Sequence, residues 1–112
     1  MKVRKGTTND MARVLELIQE LAVFEKEPTA VTISEQDLIR DGFGVQPLFE
    51  TLVAETQIKE QTVIIGMALF YHRYSTWKGK TIHLEDLIVS EKFRNTGAGK
   101  ALYNEVIKIG HT

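Results

Sequence analysis

Between Val89 and Leu102 the chain reads Val-Ser-Glu-Lys-Phe-Arg-Asn-Thr-Gly-Ala-Gly-Lys-Ala-Leu, and no other stretch constrains the fold as much. A β-rich run ends at Val89, a short polar turn follows, and an amphipathic helix opens near Gly97. The small residues Gly97, Ala98 and Gly99 let a ligand approach the backbone closely. The first amides of such a helix have no carbonyl partner within it and point out of its end, with the helix dipole behind them. That makes an anion site, and Arg94 and Lys100 add positive charge to it. A pyrophosphate suits this cradle. A dinucleotide-binding fingerprint is excluded because Leu102 stands at the third glycine position, and a Walker A loop lacks its Gly-Lys-Ser/Thr. The residues alone also suit a glycine-softened turn with two solvated cations.

The preceding chain supplies the layers. Lys2 to Lys5 reads as a short strand. Thr8, Asn9 and Asp10 offer cap oxygens to a helix. In it Met11, Val14, Leu15, Ile18, Leu21 and Ala22 share one face, while Glu16 and Glu20 fall on the other. It should end before Pro28. Ser34 and Asp37 form a capping-box pattern for a second, short helix, which Gly42 and Gly44 should end. Three strands are predicted at Phe49–Glu55, Thr62–Tyr74 and Thr81–Val89, separated by a polar turn from Thr56 to Gln61 and a loop from Ser75 to Lys80. The connections have hairpin length, so the pairing should be antiparallel. Ala98 to Ile109 closes the order as a helix with Ala98, Ala101, Leu102, Val106 and Ile109 on its apolar stripe. This is an α/β domain with a mainly antiparallel sheet flanked by helices.

Composition narrows the partners. The 112 residues fit one domain, and 14 basic against 15 acidic side chains leave no excess for a nucleic-acid backbone. There is no cysteine, so disulfides, thiol catalysis and thiolate metal sites are excluded together. The N-terminus has no apolar core of the signal-peptide kind. The longest apolar stretch, Val63 to Tyr71, is far short of the about 20 residues of a membrane span. A soluble, cytoplasmic protein with no nucleic-acid or membrane partner is expected.

Arg94-x-x-Gly97-x-Gly99 after a strand resembles the acetyl-coenzyme A motif of the GNAT N-acetyltransferases. Leu17-Ile18-x-Glu20-Leu21-Ala22, Asp41-Gly42-Phe43-Gly44, Leu52-Val53-Ala54-Glu55, Trp77-x-Gly79-Lys80 and Leu84-Glu85-Asp86 together resemble the spermidine/spermine N-acetyltransferases and their relatives acting on thialysine and other diamines. The resemblance runs over nearly the whole chain. It implies that Arg94, Asn95, Thr96, Gly97, Ala98, Gly99 and Lys100 cradle the pyrophosphate of acetyl-coenzyme A. It implies that Leu87, Ile88 and Val89 offer backbone groups to the pantetheine arm and thioester. It makes Glu85 the acceptor of the amine proton, through water, and places Glu25, Trp77 and Asp86 around a small-molecule amine. No metal is implied, and a homodimer is.

The chemistry suits these residue types. An alkyl ammonium has a pKa near ~10 and is a poor nucleophile until a carboxylate takes its proton. Backbone amides can steady the oxyanion formed as amine attacks thioester, and two aligned substrates need no covalent enzyme intermediate. Consecutive Glu85 and Asp86 point to opposite faces of an ideal strand; a bulge, as the family carries here, is what would bring both to one site. His72, His83, Tyr71 and Tyr74 read as structural residues of the sheet, and His111 as an exposed tail residue.

Three departures matter. Ser75 stands where the polyamine enzymes carry an aspartate, and Phe24 where they carry a tyrosine, which favours a smaller amine or amino acid over a long polycation. The third is at the end of the chain: the family continues through a fifth strand, a helix and two further strands, including the tyrosine usually assigned as general acid. The expectation is therefore a single, partial N-acetyltransferase domain over residues 1–112 whose C-terminal part is missing, with the Thr81–Val89 strand an open edge. The alternatives are a non-catalytic acetyl-coenzyme A-binding or dimerisation module, and a generic nucleotide-phosphate binder.

Overall fold

The computed structural model describes residues 1–110; His111 lies outside them. The strands are β1 (Lys2–Lys5), β2 (Glu50–Ile58), β3 (Gln61–Ser75) and β4 (Gly79–Val89). They form one antiparallel meander in the order β1-β2-β3-β4. The α-helices are α1 (Met11–Phe24), α2 (Glu35–Phe43) and α3 (Ala98–Gly110). Among the described residues no helix is long and apolar enough to cross a membrane.

The sheet separates two cores. On one face α1 and α2 pack Met11, Val14, Leu17 and Leu38 against Val53, Met67, Leu69 and Ile88. On the other, α3 lays Ala98, Leu102 and Val106 over Leu52, Ala54, Ile65, Ala68 and Phe70. Successive strand residues serve opposite layers, which gives β2 and β3 their near-continuous apolar runs. Phe70 is fully buried, and truncating it to Ala should cost about 3–5 kcal/mol. Leu17, absent from the expected α1 stripe, is also fully buried.

Several boundaries differ from expectation. The helix α2 runs through Gly42 and ends before Gly44, whose φ of −77° is ordinary. Gly42 is required for another reason: a Cβ there would meet the Phe49 ring at 2.6 Å. The predicted turn from Thr56 to Gln61 is mostly strand. The hairpin closes over two residues, Lys59 and Glu60, both left-handed at φ 50° and 68°. That is the twist a two-residue hairpin demands, here met without Asn or Gly. Ser34 caps α2, its hydroxyl accepting from the Asp37 amide at 3.1 Å. The helix α1 gets no side-chain cap from the expected Thr8, Asn9 and Asp10, which form a short turn of their own, and the Asp10 carboxylate instead accepts from the Thr7 amide at 2.7 Å.

One bulge places the functional strand. The β3–β4 register pairs Leu69 with Asp86 and Phe70 with Leu84, leaving Glu85 as the extra residue. The consequence is a change of face. Ile82 and Leu84 belong to the α3 layer, whereas Ile88, also even-numbered, belongs to the α1–α2 layer. Among the described residues the outer edge of β4 carries no further strand.

Candidate functional site

The bulge at Glu85 opens a site on the α1–α2 side of the sheet. Glu85 and Asp86 both line a cavity of about 290 Å³ there. Ile18, Leu38, Phe49 and Leu69 make its apolar wall, and Asp37 and Asp41 its far rim. The two rim carboxylates are compensated: Arg40 reaches Asp37 at 3.0 Å and Asp41 at 2.9 Å. Among the described residues the Asp86 carboxylate has no hydrogen-bond or ion-pair partner. Burial pushes its carboxyl above the ordinary aspartate range, and the carboxylates of Glu85 and Glu25 push it further. Glu25, at the C-terminal end of α1, does not line the cavity, but its charge is felt at Asp86.

Glu85 is tied to a residue that the sequence reading took as structural. His83 Nε2 stands 3.5 Å from Glu85 Oε1. The Arg73 guanidinium, which can only donate, faces His83 Nδ1 at 3.4 Å. The His83 ring therefore lies between the Arg73 guanidinium and the Glu85 carboxylate, close to the latter but not hydrogen-bonded to it. His72 pairs instead with Glu50 at 2.9 Å, away from the cavity. Trp77 lies apart from the other acceptor candidates, 94% exposed at the β3–β4 turn. A larger cavity of about 440 Å³, bordered by Gly6, Phe43, Thr51 and His72, holds none of the expected site residues.

The loop after β4 has the backbone an anion cradle needs. Asn95 and Gly97 adopt φ of 72° and 88°, conformations that favour Asn and Gly. Ala98 is buried against the sheet and fixes the start of α3. The first bond of the helix runs from the Ala101 amide to the Gly97 carbonyl at 3.0 Å, so the Gly99 and Lys100 amides precede the ladder. The Thr96 hydroxyl donates to the Phe93 carbonyl at 2.6 Å and lies 3.4 Å from the Ala98 amide. A Cβ on Gly97 would meet nothing within 4 Å, and one on Gly99 only Val89 Cγ2 at 3.6 Å. Packing within the chain therefore does not explain glycine at 99. Arg94 stacks over the Phe24 ring at 4.9 Å and its Nε lies 3.4 Å from the Val89 carbonyl; Lys100 is exposed. Leu87, Ile88 and Val89 lead from the bulge to this loop.

One contact was missed. Glu20, expected on the solvent face of α1, accepts the Glu91 amide at 2.8 Å and faces the Ser90 hydroxyl at 3.3 Å. Helical periodicity carries no signal for it.

A bulged strand thus runs through this loop into a helix whose leading amides are free. The chain belongs to the Acetyltransferase (GNAT) family, whose model matches residues 12–111. It is 38% identical over 111 residues to the thialysine N-epsilon-acetyltransferase of Bos taurus, covering 96% of this chain and 65% of the relative. It is 33% identical over 114 residues to the human spermidine/spermine N(1)-acetyltransferase-like protein 1, covering 99% of this chain and 16% of that one. The chain thus spans about 65% of the length of the thialysine relative. The fold matches the ribosomal-protein-alanine N-acetyltransferase of Brucella melitensis with a TM-score of 0.74 at 16% identity, over 98% of this chain and 71% of the other. It also matches an aminoglycoside acetyltransferase from a soil metagenome, in complex with sisomicin, at 0.72 and 18% identity, over 98% and 69%.

Proposed function

We propose that residues 1–112 form the acetyl-coenzyme A-binding and proton-accepting part of an N-acetyltransferase domain acting on a primary amine of a small molecule. The observation that carries this reading is the bulge at Glu85, which brings Glu85 and Asp86 to one cavity on the strand that ends at the anion cradle.

The residues present fit acetyl-coenzyme A. Gly97 and Gly99 leave their Cβ space open, and the amides of Gly99 and Lys100 can donate to a pyrophosphate, with Arg94, Asn95, Thr96, Ala98 and Lys100 around it. The unpaired edge of β4 at Leu87, Ile88 and Val89 can pair with an amide-bearing arm. When bound, acetyl-coenzyme A supplies an activated acetyl thioester. The chain's own task is then to hold the amine and remove its proton. Asp86 and Glu25 draw in the ammonium group, whose charge favours the ionised form of Asp86. Glu85 accepts the proton through water, with the His83 ring 3.5 Å from its carboxylate. The apolar wall of Ile18, Leu38 and Leu69 suits the alkyl chain that bears the amine.

The names of the relatives support an acceptor with an alkyl amine, thialysine in one and spermidine or spermine in the other. Trp77 serves the same acceptor only if its turn folds inward. A homodimer in the cytoplasm completes the reading. Its test is release of coenzyme A across a panel of amines. Amine-dependent release, reduced about 10²-fold or more in Glu85→Gln, is expected; release indifferent to amine and unchanged by Glu85→Gln contradicts it.

A further inference from the structure

We infer that Glu20 is a positioning residue for the phosphate-binding loop, an assignment that rests on the acetyl-coenzyme A reading and adds a residue outside it. Its carboxylate accepts the Glu91 amide at 2.8 Å, and the Ser90 hydroxyl donates to the same group at 3.3 Å. The contact joins residues 71 apart and falls where β4 ends and the loop begins.

The turn at Glu91–Phe93 has no side-chain cap of its own. Ser90, at the position where a cap would stand, faces Glu20 instead. Its amide donates to the Ile65 carbonyl at 2.8 Å, so one end of the turn is anchored to β3. Glu20 anchors the next amide from α1. It works as a helix cap delivered from another element, satisfying a donor that the turn itself cannot. Immediately downstream the chain reaches Arg94, then Asn95 and Gly97 at φ 72° and 88°. That backbone presents the leading amides of α3. Fixing the entry of the loop raises the fraction of time it spends in this arrangement, and a ligand binds in proportion to that fraction.

A second contact from the same helix supports the role. Phe24 lies four residues after Glu20, on the same face of α1, and Arg94 stacks on it at 4.9 Å. The helix therefore grips the loop at its entry and again at Arg94. The loop needs the acceptor oxygen of Glu20 rather than its charge, because a negative charge near an anion cradle opposes a pyrophosphate. Glutamine keeps the acceptor and removes that opposition; alanine removes both.

The test measures hydrogen exchange at the Glu91 amide and calorimetric affinity for coenzyme A in E20A, E20Q and S90A. In E20A the Glu91 amide should exchange about tenfold faster and coenzyme A should bind about tenfold more weakly, the scale of a lost cap. E20Q should stay within about twofold of the unsubstituted chain on both readouts. S90A, which spares Glu20 and keeps the assay informative if E20A folds poorly, should weaken binding by about two- to threefold. A purely structural role would lower the melting temperature of E20A yet leave coenzyme A affinity within about twofold at temperatures where it is folded, and that result overturns the inference alone. No binding of coenzyme A by the unsubstituted chain overturns the acetyl-coenzyme A reading and this inference together.

Discussion

Arg94 lies with its guanidinium 4.9 Å from the centre of the Phe24 ring, so a cation of the loop after β4 rests on the last residue of α1. An exposed stack of this kind contributes about 0.5–1 kcal/mol. Here it holds Arg94 beside the N-terminus of α3. Phe24→Ala should therefore weaken acetyl-coenzyme A binding by about two- to fivefold. Phe24→Tyr keeps the ring and should leave affinity unchanged. Fluorescence competition against a coenzyme A analogue measures both.

Asp86 provides a prediction with a definite sign. Burial, then Glu85 and Glu25, raise its carboxyl pKa in the folded state. The folded chain thus holds a proton that the unfolded chain has already lost, and stability falls as pH rises through the folded pKa. Asp86→Asn removes this penalty. It should raise the melting temperature at pH 7 by about 2–4 °C, a modest figure because the half-buried site is partly screened by water. The gain should vanish below about pH 3.9, where the aspartate is neutral in both states. Thermal melts across pH report it. The same variant should raise KM for the amine, as expected of a group kept for function at the expense of stability.

Gly97 and Gly99 should separate folding from binding. Gly97 has φ 88°, so alanine there strains the backbone and should cost about 1–2 kcal/mol. Gly99→Ala meets only Val89 Cγ2 at an ordinary 3.6 Å and adds helix propensity, so stability should hold or rise by up to ~1 kcal/mol. Yet its methyl group enters the space a ligand would use. Coenzyme A affinity should fall in both variants, and only in Gly97→Ala should the denaturation midpoint fall with it.

The extent to which these features were legible in the sequence follows from the range of the interactions behind them. The strand–loop–helix at Val89–Leu102 is local, and its glycines and helix stripe announce it. The layer order follows from apolar periodicity, so helices and strands fell near their observed places. The hairpin at Lys59–Glu60 was read as a longer turn because neither residue is a usual left-handed one. Gly42 was read as a helix end because glycine is ambiguous between positive φ and close approach. Only the Phe49 ring distinguishes them. The bulge at Glu85 came from family resemblance, since strict alternation sends Glu85 and Asp86 to opposite faces. Glu20 stands in one of the segments that carry the resemblance, yet its contact was not legible: its partner lies 71 residues away, and a polar residue on a polar helix face looks solvated.

Away from the site, Arg4 ties the first strand to the rest of the chain. Its guanidinium reaches Asp10 at 2.8 and 3.0 Å and Glu55 at 2.8 Å, and Asp10 is only 6% exposed. The Arg4 hydrogen bond, then those from Thr7, outweigh burial and hold the Asp10 carboxyl below the usual range. Arg4→Met leaves that carboxylate buried without its cation and should cost about 2 kcal/mol at neutral pH. A depressed carboxyl contributes its stability above the unfolded pKa and loses it as pH falls through the folded value. The difference between the two chains should therefore shrink as pH drops below about 3.9. Urea denaturation at pH 7 and pH 3 checks this.

The central claim is that the backbone opening α3, freed by Gly97 and Gly99, grips the diphosphate of acetyl-coenzyme A. Isothermal titration of this chain with acetyl-coenzyme A, and separately with ATP, tests it most directly. The account predicts binding of acetyl-coenzyme A at least about tenfold tighter than of ATP, because the β4 edge adds contacts that only the pantetheine arm can use. Equal affinity for the two ligands, or no affinity for either, would contradict it.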